Sequence, residues 1–316
     1  MANATVTTAT ARGGRHQRAR SRRVQLASAR GIISPTVLSS RRGKRVYWTV
    51  FSVVAVVCAA VFLFPMFWAV TGALRSTTDL DSPTVSFLPH EWLFSNYSNA
   101  WSQLDLLQYF KNTVIQAGGA WILEIVLLTL AAFALSKLRP RFGGVIMGGF
   151  LVSMFIPGQA IVVSTYLVAK DLPFIHTNLL DNPLAIWLPA VTSAFNLFIL
   201  KRFFDQLSDE LMEAAEIDGA GVARKLWSIV IPMARPVLAV VSIFAFVAVW
   251  QSYLWPLMVF TDPNKYPLSV AVTQISYSAP LNWALAADVL ASIPLLVMFV
   301  LFQRNIMGGL SGATTG

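Results

Sequence analysis

The residues able to do chemistry in this chain are few, and most of them lie inside apolar runs. Glu124 has twelve uncharged residues on either side before Lys111 and Lys137. An ionised carboxylate facing lipid costs roughly 3 kcal/mol on insertion scales, so this side chain is expected to face protein or water. No Lys or Arg falls within an apolar run to pair with it. The expectation is therefore a protonated carboxyl, or hydrogen bonds to Gln116, Gln159 or Asn196. These polar groups either line a path through the membrane or bond one helix to another. Further along, Trp250, Gln251, Ser252, Tyr253 and Trp255 set aromatic faces beside amide and hydroxyl groups. That combination suits a sugar, whose C–H faces stack and whose hydroxyls need donors and acceptors. It equally suits an aromatic belt at the membrane interface.

Bond-making machinery is not evident. There is no G-x-x-x-x-G-K-[ST] phosphate loop, so ATP is not expected to bind by that route. His16, His90 and His176 are isolated and lack metal-ligand spacing. The lone cysteine, Cys58, sits in an apolar run and cannot form an intramolecular disulfide. Gly144 and Gly148 form a GxxxG that allows close helix approach but is common by chance in membrane runs. A chain of this kind moves or holds something rather than transforming it.

The densest charge is at 201–235. Six of the 15 acids fall between Asp205 and Asp218, followed by Arg224, Lys225 and Arg235. Ser208 is placed to cap a helix starting at Asp209, with Asp209 and Glu210 at its positive end. Leu211, Ala214, Ala215 and Asp218 share one side, where two alanines leave a shallow face. Gly219 and Gly221 interrupt that helix. A second segment carries Val222, Leu226, Ile229 and Val230 at helical spacing, and Pro232 and Pro236 mark the return to apolar sequence. On these residues alone, a solvated helical hairpin and a docking element fit equally.

The elements that must position these residues follow from composition. The chain has 316 residues, 56% hydrophobic and 12% charged, where a soluble domain carries about 25% charged residues. Long uncharged runs then predict an all-α membrane protein. The expected helices are about 47–70, 112–136, 143–168, 183–201, 236–260 and 283–303, with no period-two alternation that would suggest a barrel. Residues 1–45 hold 11 Lys or Arg and no acid. They read as a disordered basic tail that touches anionic lipid from the cytoplasmic side. An export signal fits less well, because no apolar core follows Arg22–Arg23, and nothing further points to nucleic acid. Counting connections, 20 Lys/Arg lie on the side of both termini, with Arg75, Lys111, Lys170 and Lys265 on the other. Both termini and the 202–235 loop are thus expected in the cytoplasm, within a six-helix domain over 46–306 and a C-terminal tail over 307–316.

Glu213, Ala214 and Ala215, with Gly219, Ile229 and Pro232 at the matching offsets, resemble the signature loop of ABC importer permeases, although Ile231 stands where that family usually has Leu. The extended form "ELMEAAEIDGAG" looks like the carbohydrate-uptake branch and is similar to the second permease of maltose-type systems. Supporting stretches are "FKNTVIQA" (110–117), "AAFALSKLR" (131–139), "MFIPGQAIVVSTYLV" (154–168), "WQSYLWPL" (250–257) and "FQRNIMGGLSGA" (302–313). The resemblance implies a type I ABC importer permease fold with a cytoplasmic coupling helix between helices 4 and 5. Glu213 would pair with a basic residue of a separate ATPase subunit, Ala214 and Ala215 would pack closely there, and Gly219 would set the turn. Asp218, Ile229 and Pro232 complete the coupling loop.

The implied partners are a second homologous permease, a dimer of ABC ATPase subunits and an extracytoplasmic solute-binding protein, besides membrane lipid. No cofactor would sit on this chain, since ATP and Mg belong to the ATPase. The location implied is the bacterial cytoplasmic membrane, multi-pass, and the solute a sugar or oligosaccharide. The family often has Asn and an acidic residue where Gln251 and Ser252 stand, and in some related systems the partner permease makes most solute contacts. The alternatives are a proton-coupled secondary carrier using Glu124, or a permease for glycerol-phosphate-like or polyol solutes.

Overall fold

A run of uncharged residues in lipid satisfies its backbone either as a helix or in a closed barrel, and without period-two alternation the helix is the one available. The computed structural model describes residues 41–84 and 86–312, and among them the structure is helical with only an isolated bridge between Leu172 and Thr177. The expected basic tail up to residue 40, including His16, and residues 313–316 lie outside the described residues.

Packing divides the chain between Phe67 and Trp68. The first unit holds most of α1 (Arg41–Ala73), which begins in the basic residues 41–45 expected as part of the tail and is apolar on all sides over residues 46–67, as a lipid-facing helix is. The second unit opens with two short helices, α2 (Thr77–Leu80) and α3 (Ser95–Gln103). Asn96 binds this region together: its amide donates to the carbonyls of Ala73 and Arg75, both at 2.8 Å, and its oxygen accepts from Asn282 at 3.2 Å.

Helix α4 (Leu106–Phe133) is central and carries Gln116 and Glu124. It passes into a π-helical turn, Ala134–Leu138. Arg139, in the left-handed region at φ 47°, and then Pro140 stop it.

The apolar run expected as one helix over 143–168 is instead two, α5 (Gly143–Ser153) and α6 (Gly158–Lys170), bent by 111°. Pro157 stands at the break. It lacks an N–H and disfavours helical geometry at Ile156, so the chain turns there. The run expected over 183–201 is also divided, into α7 (Leu184–Ala190) and α8 (Ala194–Asp205), bent by 46°. Here Pro189 weakens the end of α7, and the Ser193 side chain caps α8 by accepting from the Asn196 N–H at 3.3 Å.

After α8 come α9 (Asp209–Ile217) and the single turn α10 (Val222–Lys225). A second π-helical turn, Leu226–Val230, leads without a gap into α11 (Ile231–Trp250). The apolar helix expected from 236 therefore begins as a helix at Val222. Pro232 cannot donate to Ser228, and the wider turn just before it absorbs the mismatch that would otherwise kink the helix. The chain finishes with α12 (Leu254–Val259), α13 (Leu268–Ile275) and α14 (Leu281–Gly312).

Among the described residues, four helices are long and apolar enough to cross a membrane, and up to six spans result if each bent pair counts as one. One core, near α9, joins Leu128 and Phe133 of α4, Leu197, Leu200 and Phe204 of α8, Met212 of α9, and Leu226, Val230 and Val241. Another joins Leu106 and Ala117 of α4 to Trp250, Leu268, Val272 and Ala286. Helices α4 and α11 both contribute to each core, Val241 and Trp250 coming from α11, and so tie the two together.

Candidate functional site

Two places collect the polar residues. The first is α9. Ser208 caps it, accepting from the Glu210 N–H at 3.2 Å. Asp209 does more than favour the helix dipole. Lys137 Nζ reaches Asp209 Oδ1 at 2.8 Å and the Leu207 carbonyl at 2.6 Å, and Arg139 Nη2 reaches Asp209 Oδ2 at 2.7 Å. Beside them Ser136 Oγ and Lys201 Nζ both donate to Asp205 at 2.8 Å. The start of α9 is thereby clamped to the π turn that ends α4. Its far end is closed by Gly219 at φ 78°, a left-handed conformation that glycine takes without steric cost. Lys225 Nζ donates to Glu216 Oε2 at 2.7 Å, holding α10 alongside.

The clamped helix presents one face outward. Glu213 and Ala214 are exposed, as are Leu211, Asp218 and Ile217, the last at 87%. Glu213 has no hydrogen bond or ion pair among the described residues. Ala215 departs from the expected shared alanine face: it is buried on the same side as Met212, because it lies three residues along the helix from that core residue. Ile229 is half-buried against the core within the second π turn, and Pro232 is exposed in the first turn of α11. A groove of about 530 Å³ runs beside Glu213, lined also by Lys137, Arg139, Glu216 and Val222.

Hydrogen bonds from Lys137 and then Arg139 hold the Asp209 carboxyl below its ordinary value of 3.8, and Lys225 does the same for Glu216. A carboxylate depressed in the folded state stabilises it above the unfolded-state value. That contribution is lost as pH falls through the folded-state value. Amide exchange in α9, corrected for its intrinsic pH dependence, should accelerate as pH drops below about 4. Asp209→Asn should already exchange fast at neutral pH and lose most of this dependence.

The second place lies inside the bundle, where α7 breaks from α8. Asn196 Nδ2 donates to Glu124 Oε1 at 2.7 Å, and the two residues are 4% and 2% exposed. Of the three groups considered as partners for Glu124, the structure brings only Asn196 to it. Gln116 is buried and donates to the Lys265 carbonyl at 3.0 Å, tying α4 to the loop before α13. Gln159 is exposed in the first turn of α6. Around Glu124 and Asn196 is a cavity of about 270 Å³, lined also by Pro189, Ser193, Ser252 and Trp255.

The aromatic group divides in the same way. Trp250 is buried, stacked on Phe246 at 5.2 Å and edge-on to Phe110 at 6.0 Å, and donates to the Ala291 carbonyl at 3.3 Å. It belongs to the second core and does not line the cavity at Glu124. Gln251 and Tyr253 are exposed and do not line the cavity, whereas Ser252 does. Ser193 and Pro189 are absent from the residues singled out by sequence. The available signal was the Ser-x-x-Asn cap at Ser193–Asn196 following a proline.

Comparison with known proteins agrees with this architecture. Residues 125–309 match the family described as binding-protein-dependent transport system inner membrane component. The chain belongs to that family and is a multi-pass permease of the inner membrane. It is 31% identical over 262 residues to the diacetylchitobiose uptake system permease protein NgcG of Streptomyces coelicolor, covering 81% of this chain and 85% of that protein. It is 27% identical over 286 residues to the sn-glycerol-3-phosphate transport system permease protein UgpE of Yersinia enterocolitica, covering 87% and 98%. Its fold matches a chain of a bacterial ABC transporter involved in the import of the acidic polysaccharide alginate, with a TM-score of 0.74, 24% identity and coverage of 84% and 98%. A chain of the bacterial alginate ABC transporter in complex with alginate pentasaccharide-bound periplasmic protein matches at a TM-score of 0.60, with 15% identity and coverage of 81% and 93%.

Proposed function

We propose that this chain is the permease subunit of an ATP-driven importer for a sugar or oligosaccharide and forms half of the membrane path. A second permease completes the path, an extracytoplasmic binding protein delivers the solute, and two ATPase subunits, which hold ATP and Mg, dock from the cytoplasm. In this reading both termini are cytoplasmic and α9 is the coupling helix, with Glu213 in contact with the ATPase. The observation that carries it is the construction of α9: an exposed acidic face with an unpartnered Glu213, on a helix clamped to α4 through Lys137, Arg139 and Asp209. A load applied to that face passes directly to the helix carrying Glu124. Ala214, Leu211 and Ile217 supply the close contact, and Ala215 supports them from beneath.

The sugar is suggested by the relative of highest identity given above. A glycerol-phosphate-like solute is the second reading, suggested by the relative that matches over nearly its whole length. The proton-driven alternative rested on Glu124 alone and gives way to family membership. Glu213→Lys should insert normally yet lower ATP-driven uptake at least about tenfold, since opposing like charge at an interface costs several kcal/mol. Uptake equal to the wild type would overturn the coupling role of α9.

A further inference from the structure

We infer that the cavity at Glu124 and Asn196 is a solute subsite within this chain, and that it takes an uncharged, hydroxyl-rich ring rather than an anion. The inference rests on the transport reading above and decides between its two solute classes.

The chemistry of the walls carries it. Glu124 uses one carboxyl oxygen for the Asn196 amide, and the other has no protein donor among the described residues. The Asn196 Oδ1 is buried with no partner. Both atoms are acceptors, and both belong to side chains more than nine-tenths buried. The hydroxyls of Ser193 and Ser252 also line the cavity, and each can donate or accept. Buried acceptors without donors are costly, so a bound group that supplies O–H donors is favoured over one that cannot. A sugar ring supplies several.

The remaining walls, Ile186, Val249 and the Trp255 ring, are apolar and suit the C–H faces of such a ring. About 270 Å³ holds a single ring rather than a chain.

An anion fits poorly for the same reasons. No Lys, Arg or His lines the cavity. A phosphate or carboxylate would bring acceptor oxygens against a carboxyl and an amide oxygen, with no cation to offset them.

The test uses the whole transporter in membranes, with Cys58→Ser and a reporter thiol from Ala248→Cys, which lines the cavity and is exposed within it. Labelling of this chain by a small neutral thiol reagent is followed by mass. Protection is sought from diacetylchitobiose, maltose and cellobiose, each alone, and from sn-glycerol-3-phosphate. A neutral sugar should slow labelling and the phosphate ester should not. Glu124→Leu should raise the protecting concentration about three- to tenfold, the value of a neutral hydrogen bond. Should that variant fail to insert, Ser252→Ala should raise it about threefold, the value of a neutral hydrogen bond.

Protection by the phosphate ester as strong as by any sugar overturns the assignment. So does unprotected labelling in a transporter that takes up one of these sugars with ATP, a result that leaves the transport reading intact. Sugar protection without ATP-driven uptake supports the subsite and overturns the transport reading instead. Neither protection nor uptake with any of the sugars overturns both.

Discussion

Gly119→Leu is expected to leave no folded protein in the membrane, and Gly119→Ala to lower its thermal stability in detergent sharply. A Cβ at this position would stand 2.2 Å from Cε2 and Cζ2 of Trp187 and 2.6 Å from its Nε1. Carbon atoms sit comfortably at about 3.5–4.0 Å. Relief would need the whole indole to move, yet Trp187 is packed against the cluster of Leu179, Ala185, Ile186, Val259 and Phe260. Its contact with α4 is tight enough that the indole N–H has no partner. Overpacking costs typically about 1–3 kcal/mol, and the alanine should fall at the upper end of that range. Gly118 is the control, because nothing lies within 4 Å of a Cβ there. Gly118→Ala should be neutral, or stabilising by up to about 1 kcal/mol through helix propensity. Trp187→Ala should restore much of what Gly119→Ala loses. Melting of Gly119→Ala at the wild-type temperature would show that α4 and α7 do not approach this closely.

The second large effect is expected at Lys137. Its side chain is 5% exposed, and its ammonium serves both the Leu207 carbonyl and Asp209. Removing it leaves a buried carbonyl without a donor and Asp209 with Arg139 alone, a pair that is more than half exposed on both sides and worth little. The local loss should be about 1.5–3 kcal/mol, the range for a hydrogen bond from a charged group. Lys137→Ala should still insert and should still bind the ATPase subunits through the α9 face. If α9 is the coupling helix proposed above, the assembled transporter should hydrolyse ATP on its ATPase subunits while taking up solute at least about tenfold more slowly, because α9 is no longer fastened to α4. Lys137→Arg, which keeps a charged donor for both partners, should recover part of the coupling. Uptake and hydrolysis falling together would mean that the clamp supports assembly rather than transmission.

The parts of this structure legible from sequence are those set by charge and periodicity. The apolar runs stand out because charged residues vanish from them, and the platform at 201–235 stands out because they return. Ser208 and Gly219 announce themselves through the chemistry of helix ends. The helix breaks beside Pro157 and after Pro189 are not legible, since apolar composition continues through both and membrane helices tolerate proline in either state. Long-range pairing is equally silent. Lys137 and Asp209 are 72 residues apart, as are Glu124 and Asn196. Nothing local distinguishes Asn196 from Gln116 or Gln159 as the partner of Glu124. The packing of Trp250 on Phe246 is not legible either, because a tryptophan in a core and one at a cavity wall have the same letter. Ala215 misleads because helical spacing places Ala214 and Ala215 about 100° apart, so both cannot share one contact.

The two π turns, Ala134–Leu138 at the end of α4 and Leu226–Val230 at the start of α11, flank the same short helix. Each holds one residue more than an α-helical turn would. Letting either one relax to α geometry would twist everything beyond it by about 100° and shift it by about 1.5 Å along its axis. Such a residue is slack wound into the helix, a stored length that is let out or taken up by re-pairing i→i+5 backbone bonds as i→i+4. A push on α9 would therefore meet two helices able to change their effective register, one carrying Glu124 and the other Ala248, both of which line the same cavity.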